Sequence, residues 1–363
     1  MRRVMWRNFD FWLFGSALFL SIFGIIMIRS AIAGNEVLAI SVSRQTIFVV
    51  AGLALMIIVS LIDYHFWGSL SRPMYIIAII ALAYILIVGT TLFGSARWFD
   101  TGVILIQPSE IAKILMILVL ADYFARNTAD PHDIHWIVNS FLLTMGVVIW
   151  ILLQPNLSTS IVIIVIWLSM LWISGLPVRY IVILAIAGLL IFGLAFPFLQ
   201  EYQQARIINF LLPDPDARHG NDYNVLQAKI AIGSGGWLGQ GYGQGTQVQL
   251  RFLKVRHTDF IFSAMAEEFG FVGTVAIIGL LVMIIIRSLR VASQAGDRFG
   301  ALIAYSYAVM IFFQAAVNIG VNLNLMPVSG LPLPFLSYGG SSLLSSIIGV
   351  GLVESVSLRK TLL

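Results

Sequence analysis

Arg256-His257-Thr258-Asp259-Phe260-Ile261-Phe262 opens an apolar run over residues 260–286, with Glu267 and Glu268 about two turns inside it. A run of that length is read as a membrane-spanning helix, which needs about 20 mostly apolar residues. Its first turns then carry acids where acids are costly unless they have a partner or a task. Asp259 is the candidate chemical centre. Asp and Thr also suit N-cap positions and the positive end of a helix dipole, so Asp259 could equally cap the span, and the two roles are compatible.

Nine further runs of the same kind surround this one, at 11–28, 47–62, 74–93, 111–124, 137–153, 159–173, 179–199, 299–321 and 338–356. The sequence therefore predicts an all-α, polytopic integral membrane protein with about ten transmembrane helices. Composition agrees: of 363 residues 59% are hydrophobic and 10% charged, and the mean hydropathy is +0.95. No water-soluble domain carries that without large exposed apolar patches. The formal charge of +4 does not point to nucleic acid, because the basic residues lie between apolar runs and form no patch with interleaved aromatics. Arg2, Arg3 and Arg7 before the first run, with Ala31 and Ala33 after it, mimic a signal peptide. The run exceeds the usual length of about 7 to 15 residues, and others follow, so it is read as a retained span.

Cysteine is absent and only five His are present. Disulfides, thiolate catalysis and zinc-thiolate sites are excluded. Arg2, Arg3, Arg7, Arg72, Arg126, Arg179, Arg287, Arg290, Arg298, Arg359 and Lys360 all fall on one side of the ten-span arrangement. Only Arg29, Arg44 and Arg97 occupy the opposite short connections. Lys and Arg mark the cytoplasmic side, which predicts both termini inside and Asp259 at the outer face.

Residues 1–363 are read as one transmembrane domain, and residues 200–258, between spans seven and eight, as its long extracytoplasmic loop. A structureless segment of that length is uncommon. Tyr223 to Ile232 are expected to form a short helix lying on or dipping into the bilayer. The glycines at 233, 235, 236, 239, 241, 243 and 245 permit close backbone approach to a ligand or tight re-entrant turns. Their spacing is wrong for a dinucleotide fingerprint.

Other polar groups fall at the same end. Arg97 and Trp98 follow the third span, and Gln107-Pro108-Ser109-Glu110 with Lys113 begins the fourth. Glu110 and Lys113, three apart on one face, form either a self-neutralising pair or part of a cationic pocket with Arg97. Gln154-Pro155-Asn156 ends the fifth span, and Ser337-Tyr338-Gly339-Gly340-Ser341 begins the last. Arg206, Lys229, Arg256 and His257 complete the candidate cations around the Asp259 carboxylate. Several Arg and Lys about one acid suit a phosphate-bearing substrate, and an apolar bundle around them suits one whose other end is lipid.

His257 to Phe262 with Glu267, Glu268 and Gly270, QPSEIAK at 107–113, QPNLSTS at 154–160, KIAIGSGG at 229–236 and LPLPFLSYGGS at 331–341 together resemble the SEDS family (shape, elongation, division and sporulation). Arg256 and the Asn318-Ile319-Gly320 string favour its RodA branch over its FtsW branch. The resemblance implies a peptidoglycan glycosyltransferase that polymerises lipid II into a growing glycan chain at the outer face of the bacterial cytoplasmic membrane. It also implies a class B penicillin-binding protein as partner, with other elongation-complex membrane proteins and no nucleic acid. Asp259 would be the catalytic base, with Arg97, Glu110, Lys113, Arg206, Lys229, His257 and Thr258 binding substrate. A divalent cation, Mg or Mn, is compatible with a diphosphate substrate. A lipid-linked precursor flippase and a docking scaffold are the alternatives. Two departures from the family pattern stand out: Asn156 replaces an acid and Ser158 a glycine, and Lys254-Val255 replace the usual Pro-Glu.

Overall fold

A computed structural model describes residues 6–34, 38, 40–92, 95–100, 105–127, 134–213 and 220–360. Its helices are α1 (Phe11–Ala31), α2 (Ile40–Leu61), α3 (Tyr64–Ser69), α4 (Ser71–Val88), α5 (Pro108–Arg126), α6 (Ile134–Leu153), α7 (Leu157–Ile173), α8 (Val178–Ala195), α9 (Glu201–Leu211), α10 (Gly220–Ser234), α11 (Thr246–Gln249), α12 (Ile261–Ser293), α13 (Arg298–Asn322) and α14 (Gly340–Ser357). Each of the ten expected spans falls on one of them: α1, α2, α4 to α8 and α12 to α14. Among the described residues, eight of these helices are long and apolar enough to cross a membrane. The other two are α7, with 17 residues, and α5, which carries Glu110, Lys113, Asp122 and Arg126. The chain is an all-α, multi-pass membrane protein.

The spans are apolar on every side because both protein and lipid solvate them. In α1 the buried positions Leu13, Ala17, Leu20, Gly24, Met27 and Ala31 recur every three or four residues, facing the bundle. Phe11, Trp12, Phe19, Ile22 and Ile26 cover the other side and stay exposed. α12 packs mainly on α13 and α1, and α14 on α2. α8 stands apart, with no buried residue.

The third span is shorter than expected. The run to Phe93 reads as continuous helix, but α4 ends at Val88 and Gly89 is extended. Thr90–Leu92 (β1), Ser95–Asp100 (β2) and Leu105–Ile106 (β3) then form a small antiparallel sheet in the order β1-β2-β3. Thr, Val, Ile and Phe suit strand as well as span, so apolarity alone does not separate them.

Residues 200–258 hold α9, α10 and α11, and the expected helix at Tyr223 to Ile232 lies within α10. The glycine-rich stretch after α10 turns back onto α12, whose helix is broken at Gly270 (φ 65°, ψ −165°). Phe271 and Val272 donate their N–H groups to Gly236 O (2.9 Å) and Trp237 O (3.1 Å), while Gln240 and Gly241 donate to Glu267 O (2.9 Å) and Glu268 O (3.0 Å). Backbone freed by a break inside a span must be satisfied by protein, and these four bonds do it. The glycines therefore serve close approach to α12. A Cβ at Gly235 or Gly239 would collide with the carbonyls of Ala266 and Glu268.

Candidate functional site

The turn before α12 delivers Asp259. Leu253 is buried, and Thr258 and Phe260 both donate to Val255 O (3.2 and 3.3 Å), closing a tight turn. The connection between α13 and α14 stitches this turn in place. Tyr338 N donates to His257 O (2.9 Å), Ser337 Oγ donates to Thr258 O (2.8 Å), and the His257 and Tyr338 rings lie 5.8 Å apart. From α13, Asn318 Nδ2 and Asn322 Nδ2 donate to Asp259 O at 3.1 and 3.0 Å. Asn318, Asn322 and Ser337 were not singled out as site residues in the sequence. Two Asn four apart in an apolar helix were the available signal.

The capping role proposed for Asp259 is not what the structure uses. The N-cap of α12 is Phe260, with no side-chain cap. Asn322 Oδ1 instead accepts from Ser263 N (3.1 Å) and Ser263 Oγ (2.6 Å). Among the described residues the Asp259 carboxylate has no hydrogen bond or ion pair. Surrounding protein pushes its pKa above the usual carboxylate value, and the positive charge of Arg206 pulls against that shift. Burial, and then the Arg256 charge, hold His257 down at about 4. His257 is therefore neutral near pH 7 and is not one of the cations.

Two expected cations do meet. Arg206 of α9 and Lys229 of α10 line one cavity of about 280 Å³, together with Asn209, Asp222 and Asn324. Arg206 donates to Ser329 O (3.2 Å) and lies over the Tyr202 ring at 5.6 Å. Lys229 is exposed.

Two others are occupied. Arg97 Nε donates to Gln154 O (2.8 Å), and its Nη2 donates to Pro155 O and Tyr202 Oη (both 2.6 Å). It is a strut tying β2 to the α6–α7 junction and α9, not a free member of a cationic pocket. Arg256 is buried and donates to Ala31 O and to Leu253 O (3.0 Å), fixing the end of α1. An arginine satisfied by backbone carbonyls has the same sequence signature as one awaiting a phosphate, so sequence could not separate them.

Glu110 and Lys113 pair at 2.8 Å, both buried, at the start of α5. Their alignment leaves Glu110 Oε2 and Lys113 Nζ without a hydrogen bond. That corner joins the Asp259 turn through α14. Gln107 N donates to Ser341 Oγ (2.8 Å), which donates to Leu105 O (3.3 Å). Asn156 explains its own departure from the family pattern. Its Oδ1 accepts from Thr159 N (3.3 Å), capping α7, while its Nδ2 donates to Ser109 Oγ (3.3 Å). Asn caps about as well as Asp and adds a donor that a carboxylate lacks. Lys254 is exposed and lies over the Tyr223 ring at 5.9 Å. Glu267 is spent on α11, accepting from Gln247 N (2.8 Å) and Val248 N (3.2 Å).

The class of protein is thus a multi-pass membrane bundle with a candidate anion-binding site at the end where α5, α7 and α14 begin: an unpartnered Asp259 that feels the charge of Arg206, and a cavity lined by Arg206 and Lys229. The chain belongs to the FtsW/RodA/SpoVE family, described as cell cycle proteins, whose model matches residues 11–362. It is 37% identical over 313 residues to the peptidoglycan glycosyltransferase MrdB of Escherichia coli K12, covering 86% of this chain and 84% of that one. It is 33% identical over 371 residues to a probable peptidoglycan glycosyltransferase FtsW of Geobacter, covering 99% of each. Its fold matches the crystal structure of the rod shape determining protein RodA of Thermus thermophilus with a TM-score of 0.73, at 30% identity over 97% of each chain. It also matches a chain from a peptidoglycan synthase complex that coordinates polymerization and crosslinking, with a TM-score of 0.83 at 31% identity. That alignment covers 97% of this chain and 98% of the other.

Proposed function

We propose that this chain, a peptidoglycan glycosyltransferase like its relatives, polymerises lipid II by an inverting transfer with Asp259 as general base. Asp259 takes the proton from the 4-hydroxyl of the acceptor N-acetylglucosamine. That oxygen attacks the anomeric carbon of the donor N-acetylmuramic acid, and the bond to undecaprenyl diphosphate breaks. Inversion needs one base on the nucleophile, and a diphosphate leaves with little protonation. The observation that carries this role is the unpartnered Asp259 carboxylate, released from capping α12 and set near Arg206. A raised pKa makes it a better base than an ordinary aspartate.

Arg206 and Lys229 bind the diphosphate and stabilise its developing charge. Lys113 acts from the Glu110 pair, and Arg97 acts through Tyr202 by holding α9. Thr258 and His257 shape the turn. Among the described residues no group of three or more His, Asp or Glu could hold a metal ion. A divalent cation, Mg or Mn, would accompany the substrate diphosphate, and no step is assigned to it. The Asp259 end faces outward, opposite the end bearing Arg72, Arg126, Arg179, Arg287, Arg298 and Arg359, and the elongation machinery is the setting. A class B penicillin-binding protein is the partner, in keeping with the synthase complex that the fold resembles.

The test is glycan polymerisation from lipid II by purified wild type and Asp259→Asn, with a partner penicillin-binding protein that lacks polymerase activity. Chains from the wild type alone support the assignment. Chains from both would remove the base, and lipid II translocation without chains from either would favour a flippase.

A further inference from the structure

α12 begins one residue later than its own backbone would permit. In an uninterrupted ladder Ser263 N–H would bond to Asp259 C=O, four residues back. Here each partner of that bond is taken by the same side chain. Asn322 Oδ1 accepts from Ser263 N at 3.1 Å, and Asn322 Nδ2 donates to Asp259 O at 3.0 Å. The first bond within the helix is instead Ala264 N to Phe260 O (3.2 Å).

Asn322 is held for this task. It ends α13 and is fully buried, its Oδ1 also accepts from Ser263 Oγ (2.6 Å), and its Nδ2 also donates to Asn318 O (2.8 Å). Asn318, one turn earlier, donates a second bond to Asp259 O (3.1 Å) and ties the same amide to Leu331 O (2.8 Å). A carboxamide supplies a donor and an acceptor at that reach at any pH, whereas a carboxyl of the same length does so only when protonated.

We infer that Asn322, seconded by Asn318, is a positioning residue that keeps Asp259 from becoming the N-cap of α12 by inserting its carboxamide between Asp259 C=O and Ser263 N–H, so that the carboxylate stays unpartnered and free to act on substrate. The inference rests on Asp259 acting as the base. Without the carboxamide, the shortest way to satisfy both buried backbone groups is to bond them to each other. That change extends α12 by one residue, to Phe260, and makes Asp259 its N-cap, with the carboxylate drawn to the free N–H groups of the first turn.

Asn322→Leu removes both halves of the insertion, Asn318→Leu removes one donor, and Asn322→Asp keeps the acceptor but donates only when protonated. Turnover of lipid II is measured for each from pH 5 to 8, below its melting temperature, beside wild type and Asp259→Asn. Asn322→Leu is expected to lose at least tenfold in kcat with KM little changed, and Asn318→Leu to lose less. For Asn322→Asp the rate relative to wild type rises as pH falls, because the protonated carboxyl again donates to Asp259 O. A mere fold prop would instead lower the melting temperature and leave that ratio flat. A flat ratio, or wild-type kcat in Asn322→Leu while Asp259→Asn is dead, overturns the positioning role alone. Activity in Asp259→Asn overturns the base and the positioning role together.

Discussion

Asp259 is a charge the fold tolerates at a cost. Its pKa is raised by burial, so the carboxylate is disfavoured in the folded protein above that raised value. The cost disappears as pH falls below the ordinary aspartate value of about 3.9. Asp259→Asn is thus expected to lose about 10²- to 10⁴-fold in polymerisation yet melt at a higher temperature than wild type at pH 7. Lipid II turnover and thermal melting on one preparation check both, and a lower melting temperature would contradict the buried charge. His257 has the opposite sign. Held at about 4, it binds fewer protons folded than unfolded between about 4 and 6.5, so stability rises with pH across that window. His257→Gln should flatten the pH dependence of melting there, and an unchanged slope would place the titration elsewhere. At this scale the sequence offers Asp259 as a candidate because it is an acid at a span boundary. It could not tell Arg206, which lines the cavity, from Arg97 and Arg256, which are consumed by carbonyls, because that distinction lives in the partners.

At the level of elements, α5 opens on a buried ion pair and α12 is broken at Gly270. Glu110 and Lys113 are a buried pair at 2.8 Å, and removing one member leaves the other charged and alone. Lys113→Ala should cost about 3–5 kcal/mol of stability. Lys113→Met with Glu110→Gln, which removes both charges, should recover most of the melting temperature but not the activity. Recovery of both would make the pair structural only. The pairing across the break needs Gly239, which is at φ 81° and where a Cβ would collide with Glu268 O. Gly239→Ala should cost more than about 1 kcal/mol and detach the 236–241 stretch, seen as faster amide exchange at Phe271 and Val272. Unchanged exchange would show that the stretch holds without that glycine. The glycines were visible in sequence, but their target was not. Backbone pairing with α12 leaves no side-chain pattern, and the run 260–286 reads as an unbroken span because a single glycine at 270 is ordinary inside a helix. Likewise β1 to β3 were hidden in an apolar run that serves helix and strand equally.

For the whole molecule the open question is which way the Asp259 end faces. Helices at all ten expected positions were legible because apolar runs mark them, though length and apolarity qualify only eight among the described residues, and the orientation is inferred from where Lys and Arg collect. That asymmetry is a bias on insertion, not a contact, so it needs a test of its own. The chain contains no cysteine, so single introduced thiols report without background. Gln244 lies exposed in the loop between α10 and α11, and Ser293 lies exposed at the far end of α12. In intact cells Gln244→Cys should react with a membrane-impermeant maleimide, and Ser293→Cys should react only after permeabilisation. Lipid II polymerisation by each variant confirms that it is folded in the active state. The reverse labelling pattern would put Asp259, Arg206 and Lys229 on the cytoplasmic side. A base placed there could not build glycan outside the membrane, so polymerisation at the outer face would fail as the role of this site even if Asp259→Asn proved inactive.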